Sequence, residues 1–139
     1  DNPKNKTVLR NLTAAHFRYT SNLHKLYLRG NYMQTLPSEL FFKLTELNEL
    51  SLSRNDLAAL PNGLLRAQGK LIKLDLSGNL LQALPPGIFN ATKVLWKLDL
   101  RYNQFSVPTN IIAAIQPLLY LYRLLLSYNY FTHIAGAGE

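Results

Sequence analysis

The sequence predicts an α/β solenoid, a right-handed coil with a parallel concave β-sheet and an irregular convex side. Three observations predict it. Asparagine recurs at Asn31, Asn55, Asn79, Asn103 and Asn129, at spacings of 24, 24, 24 and 26 residues. Leucine recurs with the same spacings at Leu23, Leu47, Leu71, Leu95 and Leu121. Between each leucine and its asparagine lies an alternating pair: Leu26 and Leu28, Leu50 and Leu52, Leu74 and Leu76, Leu98 and Leu100, Leu124 and Leu126. A fixed period of roughly 20–50 residues is the signature of stacked repeats.

The alternating pair defines the strand of each coil, because side chains on a strand point to opposite faces in turn. One strand cannot bury its leucines alone. Stacked coils bury them in a shared interior, and strands visited once per coil in one direction form a parallel sheet. The chain then leaves the strand by a tight inward turn. A buried Asn carboxamide carries two donors and an acceptor, so it can satisfy the backbone groups that such a turn leaves unpaired. The five asparagines are therefore expected to form a structural ladder. Two residues after each comes Met33, Leu57, Leu81, Phe105 or Phe131.

The second half of the unit repeats as well. Leu36-Pro37, Leu60-Pro61 and Leu84-Pro85 are in register and open the convex return, followed by Phe41, Leu65 and Phe89. Leu9, Leu12 and Phe17 lie 24 residues before Met33, Leu36 and Phe41 and mark a partial first unit. Phe17, Phe41 and Phe89 are expected to fill the wider interior opposite the sheet.

The pattern L-x-x-L-x-L-x-x-N-x-L is met five times, with Met or Phe as the last member in three units, and resembles the leucine-rich repeat family, a resemblance that runs from about Leu9 to Ile134. The 24-residue length, with Leu-Pro and a later Phe, resembles the extracellular animal class, such as the repeats of Toll and Toll-like receptor ectodomains. Secreted or cell-surface adhesion proteins and the variable lymphocyte receptors of jawless fish are similar. Residues 1–22 are read as an N-terminal partial repeat or cap. Five repeats follow at 23–46, 47–70, 71–94, 95–120 and 121–134, the last truncated, with a tail at 135–139. No cysteine-rich cap follows, so the expectation is a fragment of a longer ectodomain or a chain stabilised by a partner.

The fourth unit is two residues longer, with Val107-Pro108 one residue early. Ile111, Ile112, Ile115 and Leu118 are spaced as one face of a short helix that Pro117 limits. A convex helical turn is expected, as tolerated growth in preference to a recognition feature.

Composition narrows function. The chain has 139 residues, 30 of them leucine, and no cysteine, which excludes disulfides, cysteine metal sites and thiol nucleophiles within it. Fifteen Lys and Arg against eight acids give +7, a balance that suits acidic partners or simply keeps the surface soluble. No membrane span is read, since Gln116, Pro117 and Arg123 interrupt the most apolar stretch. His16, His24 and His133 fall at unrelated repeat positions. There is no nucleophile elbow, phosphate loop or H-E-x-x-H. Asp75 and Asp99 lie one coil apart, but an open sheet supplies no pocket, and the pair is explained more simply by the neighbouring Lys73 and Lys97, which the two aspartates are expected to moderate. No catalytic residue, metal site or cofactor is assigned.

The outward positions of the strands define the candidate site. One row reads Lys25, Glu49, Lys73, Lys97 and Arg123. Trp96, Tyr102, Tyr122 and Tyr128 cluster on the last two units. Tyr and Trp beside Arg make good binding anchors. The partner-binding residues assigned are Lys73, Asp75, Trp96, Lys97, Asp99, Arg101, Tyr102, Tyr122, Arg123 and Tyr128. Asn5, Asn11 and Asn90 open N-x-T tripeptides and are glycosylation candidates.

The resemblance implies a protein-interaction module of an innate immune or cell-surface receptor, secreted or on the extracellular side of the plasma membrane. It would bind a protein ligand or co-receptor on its concave face. Alternatives are a secreted matrix or adhesion protein, or a basic repeat that binds an anionic glycan or nucleic acid. Nucleic acid ranks below protein because the basic residues are dispersed and no nucleic-acid module is recognisable.

Overall fold

The computed structural model describes residues 11–132. It is a solenoid built on one five-stranded parallel sheet in sequence order. The strands are β1 (Lys25–Tyr27), β2 (Glu49–Ser51), β3 (Lys73–Asp75), β4 (Lys97–Asp99) and β5 (Arg123–Leu125). The middle leucines Leu26, Leu50, Leu74, Leu98 and Leu124 stand in register. The sequence period and the sheet register are therefore the same quantity.

The parallel ladder continues beyond these three-residue cores. Leu28, Leu52, Leu76 and Leu100 donate N–H to Ser51, Asp75, Asp99 and Leu125 of the next coil at 2.8–2.9 Å. Gly30, Arg54, Gly78 and Tyr102 add one more rung each, at 2.9–3.1 Å. The residue before the asparagine then takes a left-handed backbone in all five coils, with φ of 74°, 53°, 68°, 59° and 61° at Gly30, Arg54, Gly78, Tyr102 and Tyr128. That conformation turns the chain inward and suits glycine best.

The asparagine side chain satisfies the turn. Asn55 Nδ2 donates to Leu52 O and Ser53 O of its own coil and to Leu28 O of the coil before. Its Oδ1 accepts from Asn31 N and Met33 N. Asn79, Asn103 and Asn129 repeat the pattern, each bridging two coils.

One core runs the length of the coil. The strand leucines of the middle coils, Met33, Leu57, Leu81 and Phe105, and the second-half residues Leu36, Leu60 and Leu84 are buried. Phe17, Phe41 and Phe89 fill the convex side as expected, with Phe17 and Phe41 rings 6.3 Å apart. Each fully buried leucine contributes about 1.5–3 kcal/mol. In the outer described coils Leu23, Leu26, Leu121, Leu124, Leu126 and Phe131 are only partly buried against this core. Gln68 is a buried polar residue that periodicity did not reveal. It stands where Leu44 stands one coil earlier, and its Nε2 donates to Phe41 O at 2.6 Å and Leu44 O at 3.2 Å.

The long fourth unit forms a helix, α1 (Pro108–Ile115), with proline in its first turn. Its inner face keeps Ile111, Ile115 and Leu118 of the expected four, with Ala114 in place of Ile112. Ile111 and Ala114 are buried, Ile115 and Leu118 pack with them, and Ile112 is exposed. The helix turns by about 100° per residue, which sets Ile112 to one side of Ile111 and brings Ala114 beneath it. Asn110 ties the helix to the preceding coil, accepting from Leu84 N at 2.8 Å and donating to Leu84 O at 3.1 Å. Leu9, Asn5, His133, Ile134 and the tail lie outside the described residues.

Candidate concave interface

The row that begins each strand is Lys25, Glu49, Lys73, Lys97 and Arg123, aligned one above another. Its first three members are drawn together by Glu49. Glu49 lies 3.9 Å from Lys25 and 3.6 Å from Lys73, and Tyr27 Oη donates to its Oε2 at 2.5 Å. The tyrosine hydrogen bond, aided by both lysines and opposed by partial burial, holds the Glu49 carboxyl below the usual carboxylate range. The same bond raises the Tyr27 hydroxyl. Lys97 and Arg123 form no ion pair among the described residues.

The two aspartates are hydrogen-bonded to the turn that follows them. Asp75 Oδ1 accepts from Ser77 N at 2.9 Å and Ser77 Oγ at 2.6 Å. Asp99 Oδ1 accepts from Arg101 N at 3.1 Å, and Arg101 grips both carboxylate oxygens through Nε at 3.0 Å and Nη2 at 2.8 Å. Ser51 and Ser53 make the same i to i+2 contact in the second coil. Asp75 and Asp99 were expected to moderate Lys73 and Lys97, and their hydrogen bonds go instead to the turn. Lys73 is engaged by Glu49, and Lys97 adds only the weakest of the influences on Asp99. Burial pushes the Asp99 carboxyl up, but the hydrogen bonds and charge of Arg101 outweigh it and hold the group below its ordinary value. Arg101 is raised in turn.

The aromatics fall into two stacked pairs, each one coil deep. Trp96 and Tyr122 rings lie 5.2 Å apart and 11° from parallel. Tyr102 and Tyr128 lie 4.4 Å apart and 4° from parallel. The second pair sits at the left-handed position, where a bulky residue costs about 1–2 kcal/mol relative to glycine. Strain of this kind is a pointer to function. The outer faces of Tyr122 and Tyr128 are exposed.

The structure divides the ten assigned residues. Lys73, Asp75, Lys97 and Asp99 line one concave hollow of about 410 Å³. Asp75, Asp99, Arg101 and Tyr102 line an adjoining one of about 470 Å³. Arg123 continues the first row, and Tyr128 stacks on Tyr102. Trp96 belongs elsewhere: it lines a separate apolar hollow on the flank where the strands begin, with Tyr122 stacked on it. Tyr27, Arg29 and Glu49 were not assigned, yet they line the first hollow. The signal was available for Glu49, which interrupts the cationic row. Among the described residues no cluster of potential metal ligands occurs and no helix is long and apolar enough to cross a membrane. An open surface of paired charges and exposed rings can perform non-covalent recognition.

Asn11 and Asn90 are both exposed. Leu12 and Thr92, within their tripeptides, are buried.

Comparisons with known proteins agree with this geometry. The family model for leucine rich repeats matches residues 5–57 and 46–105. The leucine-rich repeat domain of APL1B superposes with a TM-score of 0.81 at 29% identity, over 92% of this chain and 36% of that one. A chain of the LRIM1/APL1C complex gives 0.70 at 30% identity, over 84% of this chain and 22% of that one. A chain of the TLR13–ssRNA13 complex gives 0.70 at 24% identity, over 92% and 21%, and shares the fold. The chain thus spans about a third or less of the length of these structures. No curated protein matches it significantly. In-phase leucines, a buried asparagine ladder and a parallel sheet in sequence order, together with the model match, place this chain in the leucine-rich repeat family.

Proposed function

We propose that the chain is a protein-interaction module of an extracellular innate immune or cell-surface receptor. It binds a protein ligand or co-receptor on the concave face of its fourth and fifth coils. The observation that carries this reading is the contrast along the face. The strand-opening charges of the first three coils meet at Glu49, whereas Lys97 and Arg123 form no ion pair among the described residues and the same two coils carry the strained, stacked Tyr102 and Tyr128. Repeat solenoids use such concave surfaces for binding. One of the similar structures is itself a complex of two proteins, LRIM1 and APL1C.

Recognition is non-covalent, with affinity concentrated in a few anchors and little backbone movement. Tyr102 and Tyr128 supply rigid area, while Lys97 and Arg123 meet carboxylates. The test is affinity capture from extracellular fluid of the source organism. Wild type is compared with a Tyr102→Ala/Tyr128→Ala variant, a Lys97→Glu/Arg123→Glu variant and a convex control, Ile112→Glu. A protein retained by wild type and the control but lost from both concave variants supports the proposal. Capture insensitive to the concave changes contradicts it. Retention of nucleic acid with a steep salt dependence would favour the nucleic-acid alternative.

A further inference from the structure

One convex return carries Asn62-Gly63, the only Asn-Gly pair in the sequence. The neighbouring coils place Ser38-Glu39 and Pro86-Gly87 at the same positions, so the repeat does not require this pair. Asn62 is exposed, and its carboxamide makes no hydrogen bond among the described residues. Gly63 N–H donates none there either. The turn closes around that group, with Leu64 N donating to Pro61 O at 3.3 Å and Arg66 N to Gly63 O at 3.2 Å.

Other asparagines are held differently. The ladder carboxamides of Asn55, Asn79, Asn103 and Asn129 are bonded to carbonyls of two coils. The residue after each also has its N–H engaged: Asp56, Leu80, Gln104 and Tyr130 donate to the coil before at 2.8–2.9 Å. Leu23 and Glu49, which follow Asn22 and Asn48, donate as well. Asn90 is exposed, but Ala91 follows it and carries a Cβ.

Asparagine is a thermolabile residue. It loses its amide when the backbone nitrogen of the next residue attacks the side-chain carbonyl carbon. The attack needs a nitrogen free of hydrogen bonds, a carboxamide able to turn towards it, and no Cβ crowding the five-membered ring that forms. Glycine supplies the last condition. A neighbouring cation favours both the deprotonated nitrogen and the carboxylate that results. Arg66 provides one, since a Cβ at Gly63 would lie 3.4 Å from its Nη1.

We propose that the fold leaves Asn62 open to spontaneous deamidation while it protects the ladder asparagines. Hydroxide takes the Gly63 N–H proton, and the nitrogen bonds to Asn62 Cγ. The Cγ–Nδ2 bond breaks, and ammonia leaves with a proton from water, which restores the hydroxide. A second water opens the succinimide at either carbonyl, giving aspartate or isoaspartate. No electron is transferred and no enzyme takes part. The product lowers the formal +7 charge by one, on the convex side. Isoaspartate also adds a methylene to the backbone of the turn.

The full chain is incubated at mildly alkaline pH, folded and in urea, then digested for mass spectrometry that separates aspartate from isoaspartate. In the folded chain Asn62 is expected to convert at least about tenfold faster than Asn90 or any ladder asparagine, with isoaspartate the larger product. In urea the lead over the ladder asparagines narrows, because their carboxamides and the following N–H groups are released. Gly63→Ala, with its fold verified by circular dichroism, slows Asn62 at least about tenfold. An Asn62 that converts no faster than Asn90 overturns the proposal. So does a lead over the ladder asparagines that is the same folded and in urea, because the fold then protects nothing.

Discussion

Asn55 reaches out of its own coil and donates Nδ2–H to the carbonyl of Leu28 at 3.0 Å, one repeat earlier. The same carboxamide accepts from Asn31 N and Met33 N. One side chain thus serves two coils. Asn55→Ala is expected to destabilise the chain by about 3–4 kcal/mol, because several buried backbone groups lose their partner at once. Asn129→Ala, on a half-buried rung, costs about 1–2 kcal/mol. Urea titrations followed by circular dichroism check the order.

The left-handed turn gives a second test. Gly78 has φ of 68°, and a Cβ there would lie 3.2 Å from Arg54 Cγ and 3.3 Å from Arg54 N. Gly78→Ala should cost about 1–2 kcal/mol. Gly69, where an added Cβ meets nothing closer than Ala91 O at 3.8 Å, tolerates alanine within about 0.5 kcal/mol. The two midpoints in one titration series make the comparison.

Tyr102→Gly separates stability from binding. Relief of the left-handed strain offsets the lost stack with Tyr128, so stability changes by less than about 1 kcal/mol. Affinity for the concave partner falls at least about tenfold. Thermal melts and surface plasmon resonance on one preparation measure both.

Acid sensitivity follows from Asp99 and Glu49, whose carboxyls both lie below their ordinary values in the folded chain. Their unfolded values are about 3.9 and 4.3. Each therefore contributes stability above that value and loses it as pH falls through the folded pKa. Stability should be level from roughly pH 5 to 8 and decline below about pH 4. Asp99→Asn flattens part of that decline and lowers stability at neutral pH by about 1–2 kcal/mol. Urea midpoints across pH test the slope.

Asn90 is exposed and is proposed as a glycan acceptor. Expressed through an animal secretory pathway, the chain is expected to lose mass on amidase deglycosylation. Asn90→Gln should remove one glycan-sized step, read by intact-mass spectrometry.

Much of the fold was legible because a coil repeats its physics with its sequence. Leu50, Leu74 and Leu98 share one environment, so one spacing reports strand, register and core together. The asparagine ladder was legible for the same reason. Features that depend on a residue's own neighbours were not. Arg54 and Tyr102 hide the left-handed turn that Gly30 and Gly78 hint at. Asp99 is bonded to Arg101, two residues after it, and not to Lys97, two residues before it, because the turn aims the Arg101 N–H and guanidinium at the carboxylate. Trp96 and Lys97 are neighbours in sequence but line different surfaces, and only coordinates reveal that the aromatic cluster divides.

The most direct test of the functional account is hydrogen-exchange mass spectrometry of the chain, alone and bound to the captured partner. Protection concentrated at residues 97–102 and 123–128 is the predicted result. Protection confined to the convex segment 108–119, with the strands unchanged, would contradict it.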